Sequence, residues 1–86
     1  MQLILYSRSY CHLCQDMLDA LAALRPHSPP FEVLVVDVDD PATDAAILAR
    51  YDELVPVLTG ARGAPPLCHY FLDKPRVLAY LNGAAA

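Results

Sequence analysis

The chain has 86 residues, room for one domain and little besides, and 56% of them are hydrophobic against 19% charged. A chain of this size and composition buries about 60 to 70% of the surface its unfolded form exposes, enough for one small core without metal or disulfide staples, which argues against disorder. Six Lys and Arg against ten Asp and Glu give a formal charge of -4, the wrong sign for a nucleic-acid footprint or for attraction to anionic lipid, so neither is expected as a partner.

Met1 to Tyr6 lacks a basic start, and Ser7 and Arg8 end its apolar stretch, so no secretion signal is expected. Charged or polar residues punctuate every segment, and no apolar run approaches the roughly 20 residues of a membrane helix. Three cysteines are few and odd in number, which fits reduced thiols in a cytoplasmic setting better than a disulfide scaffold.

Gln2 to Tyr6 is apolar and strand-like, and Ser7 to Tyr10 breaks it. From Leu13, the residues Met17, Leu18, Leu21 and Leu24 recur at three- and four-residue spacing, predicting one buried helical face that Pro26 stops, with Gln15, Asp16 and Asp19 left for solvent. Phe31 to Val36 is β-branched and almost continuously apolar, as expected of a strand covered on both faces. Strand, helix and strand in this space predict a right-handed crossover with parallel strands. Asp40 followed by Pro41 reads as the N-cap and first position of a short helix running through Ala45, Ile47, Leu48 and Ala49 towards Tyr51. Val55 to Leu58 and Leu67 to Phe71 then read as two strands of a hairpin joined by a glycine-containing loop. Asp73 is expected to cap a last helix with Val77, Leu78 and Leu81 inward and Asn82-Gly83 as its stop. The order is β-α-β-α-β-β-α in a single domain over residues 1–83, with a short alanine tail over 84–86 that is expected to fray.

Chemistry concentrates at Cys11-His12-Leu13-Cys14. Two thiols separated by two residues at a helix start can face each other and close a small disulfide ring. The unpaired amides and dipole of a helix N-terminus stabilise a thiolate, and a thiol of ordinary pKa ~8.5 can fall to roughly 3.5 to 7.5 there.

At these residues the chain resembles the glutaredoxin-like branch of the thioredoxin fold, over nearly its whole length. Tyr6 to Cys14 (YSRSYCHLC) is similar to the family's strand-turn-CxxC-helix, and Val55-Pro56 to its cis-proline element, in the expected order. The resemblance implies an α/β thioredoxin-like (glutaredoxin-type) fold: a four-stranded mixed sheet, ordered second, first, third, fourth, with helices on both faces. It implies Cys11 as the exposed nucleophile, Cys14 as the buried resolving thiol, and Pro56 beside the pair with its preceding bond cis. Arg8, Tyr10, His12, Leu13, Val55, Pro56 and Asp73 are the residues expected around the substrate. By the same resemblance Arg8 and Asp73 would hold glutathione, but His12 stands where the family commonly has proline, Leu54 where it usually has threonine, and Tyr70-Phe71-Leu72 where it has a glycine pair. Weakened glutathione binding or a different reductant is therefore expected.

Several residues carry two readings. His12 is either an imidazolium that lowers the Cys11 pKa or an exposed loop residue. Cys68 is either a small hydrophobe in its strand or a third redox thiol, and the first is favoured. Arg8 offers its fork to a carboxylate or stands as an ordinary surface charge. Tyr10 is a rim contact for substrate or packs over the helix start. No metal site is expected, since Cys68 and His69 are adjacent on a strand and point to opposite faces, and no second CxxC exists.

The function expected is thiol-disulfide exchange on protein disulfides or glutathionylated proteins by a monomer with no bound cofactor. Glutathione and a thioredoxin-type reductase are the two candidate reductants. The alternatives are a redox-sensing or protein-binding module of the same fold without turnover, and a structural domain with silent thiols.

Overall fold

A computed structural model describes the backbone of residues 1–85 and the side chains of residues 1–83. The elements follow as β1 (Gln2–Ser7), α1 (His12–Leu24), a single 3-10 turn (Arg25–His27), β2 (Glu32–Asp37), α2 (Ala45–Tyr51), β3 (Val57–Thr59), β4 (Cys68–His69) and α3 (Lys74–Ala85). The sheet order is β2-β1-β3-β4. β1 and β2 run parallel with Gln2 opposite Glu32 and Ser7 opposite Asp37, while β1 and β3, and β3 and β4, are antiparallel. This is the thioredoxin-like mixed sheet expected.

Alternation along β1 divides the interior in two. Leu3 and Leu5 face α1 and α3, packing with Met17, Leu21, Leu24, Val77 and Leu81. Ile4 and Tyr6 face the other way, towards Tyr51 of α2, with Val57 and Val38 beside them. Helices therefore cover both faces, and β1 is buried along Leu3–Ser7. Among the described residues no helix is long and apolar enough to cross a membrane.

Four expectations are corrected. β2 is not covered on both faces: Leu34 is 36% and Val35 48% exposed. The reason is its place at the sheet edge, with β1 on one side only, which leaves Leu34 on one face and Val35 on the other at the margin of the layers. α2 begins at Asp44, not at Asp40: the Asp44 carboxylate accepts from the Ala46 N–H (2.9 Å), whereas Asp40 accepts from the Ala42 N–H (2.8 Å) within a run of turns. β4 has two residues and not five, because Tyr70 takes a left-handed conformation (φ 63°) that ends the strand. Pairing still extends past the strand at both ends, with the Leu67 N–H donating to Leu58 and the Tyr70 N–H to Pro56. Finally, α3 does not stop at Asn82-Gly83 but runs through them to Ala85. The frayed tail was expected over 84–86, and Ala86 lies outside the described residues.

Gly60, at the end of β3, has a packing role that its loop-like surroundings conceal. A Cβ there would run into the Tyr80 ring, whose hydroxyl donates to the Gly60 carbonyl at 3.0 Å. Only a residue without a side chain lets the Tyr80 ring lie this close to the backbone.

Candidate active site

The chain leaves β1 at Ser7 and enters α1 through a tight turn in which Tyr10 holds a left-handed φ of 58°. Cys11 is the N-cap of α1, with extended backbone angles. Its sulfur accepts the Cys14 N–H at 3.1 Å, and its carbonyl accepts the Gln15 N–H at 3.2 Å. Cys11 and Cys14 form a disulfide with Cα atoms 5.2 Å apart. The two sulfurs are unequal in access, since Cys11 is partly exposed and Cys14 is buried. On reduction, the same amide and the N-terminus of a 13-residue helix are in place to stabilise negative charge on the Cys11 sulfur.

A cleft of about 390 Å³ opens over the disulfide, and Arg8, Tyr10, His12, Gln15 and both cysteines line it. Tyr10 stands fully in solvent, which places it on the rim and removes the reading in which it packs over the helix start. His12 is exposed at the first helical position. Leu13 is half-buried and shares a helical stripe with Asp16, Met17 and Ala20, on a different side of α1 from the cleft.

Arg8 is placed differently from the glutathione-binding role expected of it. Its Nε and Nη2 grip the Asp39 carboxylate at 3.1 and 3.0 Å, Nη2 also meets the Asp52 carboxylate at 2.6 Å, and Nη1 donates to the Asp52 carbonyl at 3.1 Å. Hydrogen bonds to Asp52 and then to Asp39 push the guanidinium pKa up further. Four of its five N–H donors are thus spent inside the chain. The reason is charge balance: two carboxylates converge on one cation, and a third has no electrostatic incentive to join them.

The segment after α2 is held from both sides. Arg8 fixes Asp52, the Tyr70 hydroxyl donates to the Glu53 carbonyl at 2.6 Å, and the Tyr70 N–H donates to the Pro56 carbonyl at 3.0 Å. The Val55–Pro56 bond is cis, as the resemblance implied. The Val55 N–H is already committed to the Tyr51 carbonyl (3.1 Å), so it is not free to donate to a ligand. Val55 and Pro56 do not line the cleft over the disulfide. Asp73 caps α3, its carboxylate accepting from the Arg76 N–H at 3.2 Å. Cys68 is half-buried at β4, and burial pushes its thiol up, which keeps it protonated and a poor nucleophile. Among the described residues no three His, Cys, Asp or Glu side chains converge as a metal group.

The sequence matches the family described as Glutaredoxin-like domain (DUF836) over residues 2–82. The chain belongs to the glutaredoxin-like domain family. The fold of this glutaredoxin-like domain is shared with solved structures. Protein Ne2328 from Nitrosomonas europaea is 38% identical, with 93% of this chain and 89% of that one covered and a TM-score of 0.78. Protein XcR50 from X. campestris, solved by X-ray diffraction and in solution, is 33% and 36% identical in the two comparisons. These cover 94% and 96% of this chain and 96% and 95% of the other, with TM-scores of 0.63 and 0.66. No curated protein matches the chain.

Two features of the glutaredoxin-like domain escaped the reading of its sequence. Asp39 and Asp52 emerge as the partners of Arg8, at separations of 31 and 44 residues that no local pattern links. Tyr70 and Phe71, which read as the end of a strand, leave it and wall a second groove beside α1. An aromatic pair two residues ahead of the Asp73 cap was the available signal, because a helix cap lies near the surface.

Proposed function

We propose that this glutaredoxin-like domain is a thiol-disulfide oxidoreductase acting through Cys11 and Cys14. The observation that carries the reading is the N-cap geometry of Cys11: an accessible sulfur accepting the Cys14 N–H at a helix start, with the partner sulfur buried behind it. In the reduced protein the Cys11 thiolate attacks one sulfur of a substrate disulfide, forming a mixed disulfide and expelling the first substrate thiolate, which takes up a proton. Cys14 then loses its proton and attacks the Cys11 sulfur, closing the intramolecular disulfide and releasing the second substrate thiol. The substrate disulfide gains two electrons and two protons, and the Cys11–Cys14 dithiol loses them.

Protein disulfides or glutathionylated proteins would be the substrates, and glutathione or a thioredoxin-type reductase would restore the dithiol. The reading implies a reducing compartment such as the cytoplasm, where structural disulfides are rare and catalytic ones transient.

The test is the redox equilibrium of the purified chain across glutathione buffers at about pH 7, quenched by alkylation and read by intact mass. A two-electron transition confined to Cys11 and Cys14, accompanied by catalytic reduction of a small disulfide, is the expected result. A transition without turnover would leave a redox switch in place of an enzyme. Three alkylated cysteines in every buffer would overturn both.

A further inference from the structure

Two adjoining cavities, of about 230 and 170 Å³, lie on the α2 face of the sheet and share Tyr6 and Ile47 in their walls. No residue of the turn from Cys11 to Cys14 lines either of them. We propose that together they form a binding site for a small organic phosphate, its dianionic group held by Arg50, Arg62 and the Tyr6 hydroxyl and its apolar part set against Val36 and Ile47.

Three observations carry it. The first is a pair of unspent phenols. Tyr6 is 3% and Tyr51 5% exposed, and their rings lie 5.0 Å apart. The hydroxyls of the less buried Tyr70 and Tyr80 each donate to a backbone carbonyl, but those of Tyr6 and Tyr51 have no hydrogen-bond partner among the described residues. Thr59 Oγ1 is the one fully enclosed side-chain oxygen or nitrogen left without a partner among those residues. Both phenol oxygens therefore reach open space, and Tyr6 lines both cavities while Tyr51 lines the smaller. Buried polar groups are seldom left without a partner, so donors at the floor of a cavity call for an acceptor that fills it.

The second is a pair of cations. Arg8 makes both of the salt bridges found among the described residues, and Arg25 is engaged by the Phe31 carbonyl and ring. Arg62, in the wall of the larger cavity, and Arg50, in the wall of the smaller, pair with no carboxylate among those residues. Arg62 also lies near enough to the Tyr6 hydroxyl to oppose the rise that burial imposes on its pKa. Asp44 is the one carboxylate in either wall, and the Ala46 N–H holds one of its oxygens at 2.9 Å, so the two cations outweigh it. A phosphate monoester carries close to two negative charges at neutral pH and offers three acceptor oxygens, which suits two guanidinium forks beside a phenol.

The third is the apolar remainder of the walls. Val36 and Ile47 are partly buried members of the cluster around Tyr6 and Tyr51, and they continue the cavities past the donors. A few polar groups on an otherwise apolar lining fit a phosphate with an organic group attached better than the bare ion.

The experiment titrates the full chain in its disulfide form with phenyl phosphate, benzoate and inorganic phosphate, and reads backbone amide shifts by NMR at about pH 7.5 and about 0.15 M salt. Because no thiol takes part, the outcome is independent of the exchange reading above. Phenyl phosphate should shift the amides of Tyr6, Ile47, Tyr51 and Gly63 saturably, and bind more tightly than either of the other two. Arg50 and Arg62 are exposed, so Arg50→Gln and Arg62→Gln should keep the parent spectrum while each weakens binding about tenfold, the loss of one charge-assisted contact. Tyr6→Phe should weaken it severalfold, and Arg76→Gln, on α3, should leave it unchanged. No saturable shift at these amides up to about 10 mM phenyl phosphate would overturn the proposal. So would a loss with Arg76→Gln as large as with the two cavity arginines, which would reduce the effect to net charge. Inorganic phosphate binding as tightly as phenyl phosphate would overturn it as well, since the apolar walls would then take no part. Shifts confined to the turn around Cys11 would assign the anion to the disulfide cleft and remove the site proposed here.

Discussion

The Arg8 guanidinium meets the Asp39 carboxylate through two parallel hydrogen bonds, from Nε at 3.1 Å and from Nη2 at 3.0 Å. With Asp52 on its other side, one side chain ties the turn before Cys11 to the end of β2 and to the approach to Pro56. Arg8→Lys cannot reproduce the fork, so it should lower the melting temperature, with a deficit that narrows between about 0.05 and 1 M salt as the exposed charges are screened. Thermal melts of the two proteins across that range check it, and a deficit independent of salt would contradict an ionic clamp.

Cys14→Ser removes the resolving thiol while keeping the Cys14 backbone amide on the Cys11 sulfur. The mixed disulfide with substrate should then persist and accumulate to near one equivalent per chain, readable by non-reducing mass analysis. Cys11→Ser should form no such adduct, because the remaining Cys14 sulfur is buried.

Asp73 is bound to the helix it starts. Asp73→Ala should cost about 1 kcal/mol through the loss of the cap, a fall of roughly 4 to 8 °C in melting temperature for a domain of this size. Asp73→Asn should keep most of it, since an amide oxygen still accepts the Arg76 N–H. A ligand-holding role alone would leave both variants as stable as the parent.

Burial pushes the Cys68 thiol up, so the folded chain keeps a proton there at pH values where the unfolded chain has lost it. The stability this contributes is fully present below the ordinary thiol value and is lost as pH rises through the folded value. Tyr6, raised first by burial and then by Tyr51, acts with the same sign at higher pH. In the disulfide form, where Cys11 and Cys14 do not titrate, urea midpoints should fall slightly between about pH 8 and about pH 10, and Cys68→Val should flatten the early part of that fall. The effect is small because Cys68 is only partly buried.

Gly60→Ala sets a methyl group against the Tyr80 ring and should cost about 1 to 3 kcal/mol as an overpacking change. Combining it with Tyr80→Leu should recover part of the loss. Additive losses in the double variant, measured by denaturant midpoints, would mean that the two positions do not press on each other.

What the sequence made legible was whatever depends on near neighbours. The stripe from Leu13 to Leu24, the Asp73 cap and the cysteine pair at a helix start are local patterns, and each is found where the spacing put it. The place of β2 was not legible, because Glu32 to Asp37 reads the same in the middle of a sheet as at its edge, and only the strand order decides. Asp40 and Asp44 are both competent caps four residues apart, and the turns after β2 choose between them. Arg8 was legible as a cation near Cys11 but not as a spent one. Tyr70 was obscured by its type, since a bulky aromatic residue rarely signals a left-handed turn.

The open side of β2 also bears on how these molecules behave towards one another. Its outer backbone groups lie at the rim of the sheet beside Leu34 and Val35, a ready template for strand addition. Glu32 begins the strand and Asp37 ends it. Two copies aligned head to tail along this rim would bring each Glu32 towards the other's Asp37, like charge against like at both ends. Acidic residues at both ends of the rim, in place of a covering element, would oppose such pairing between neighbouring molecules.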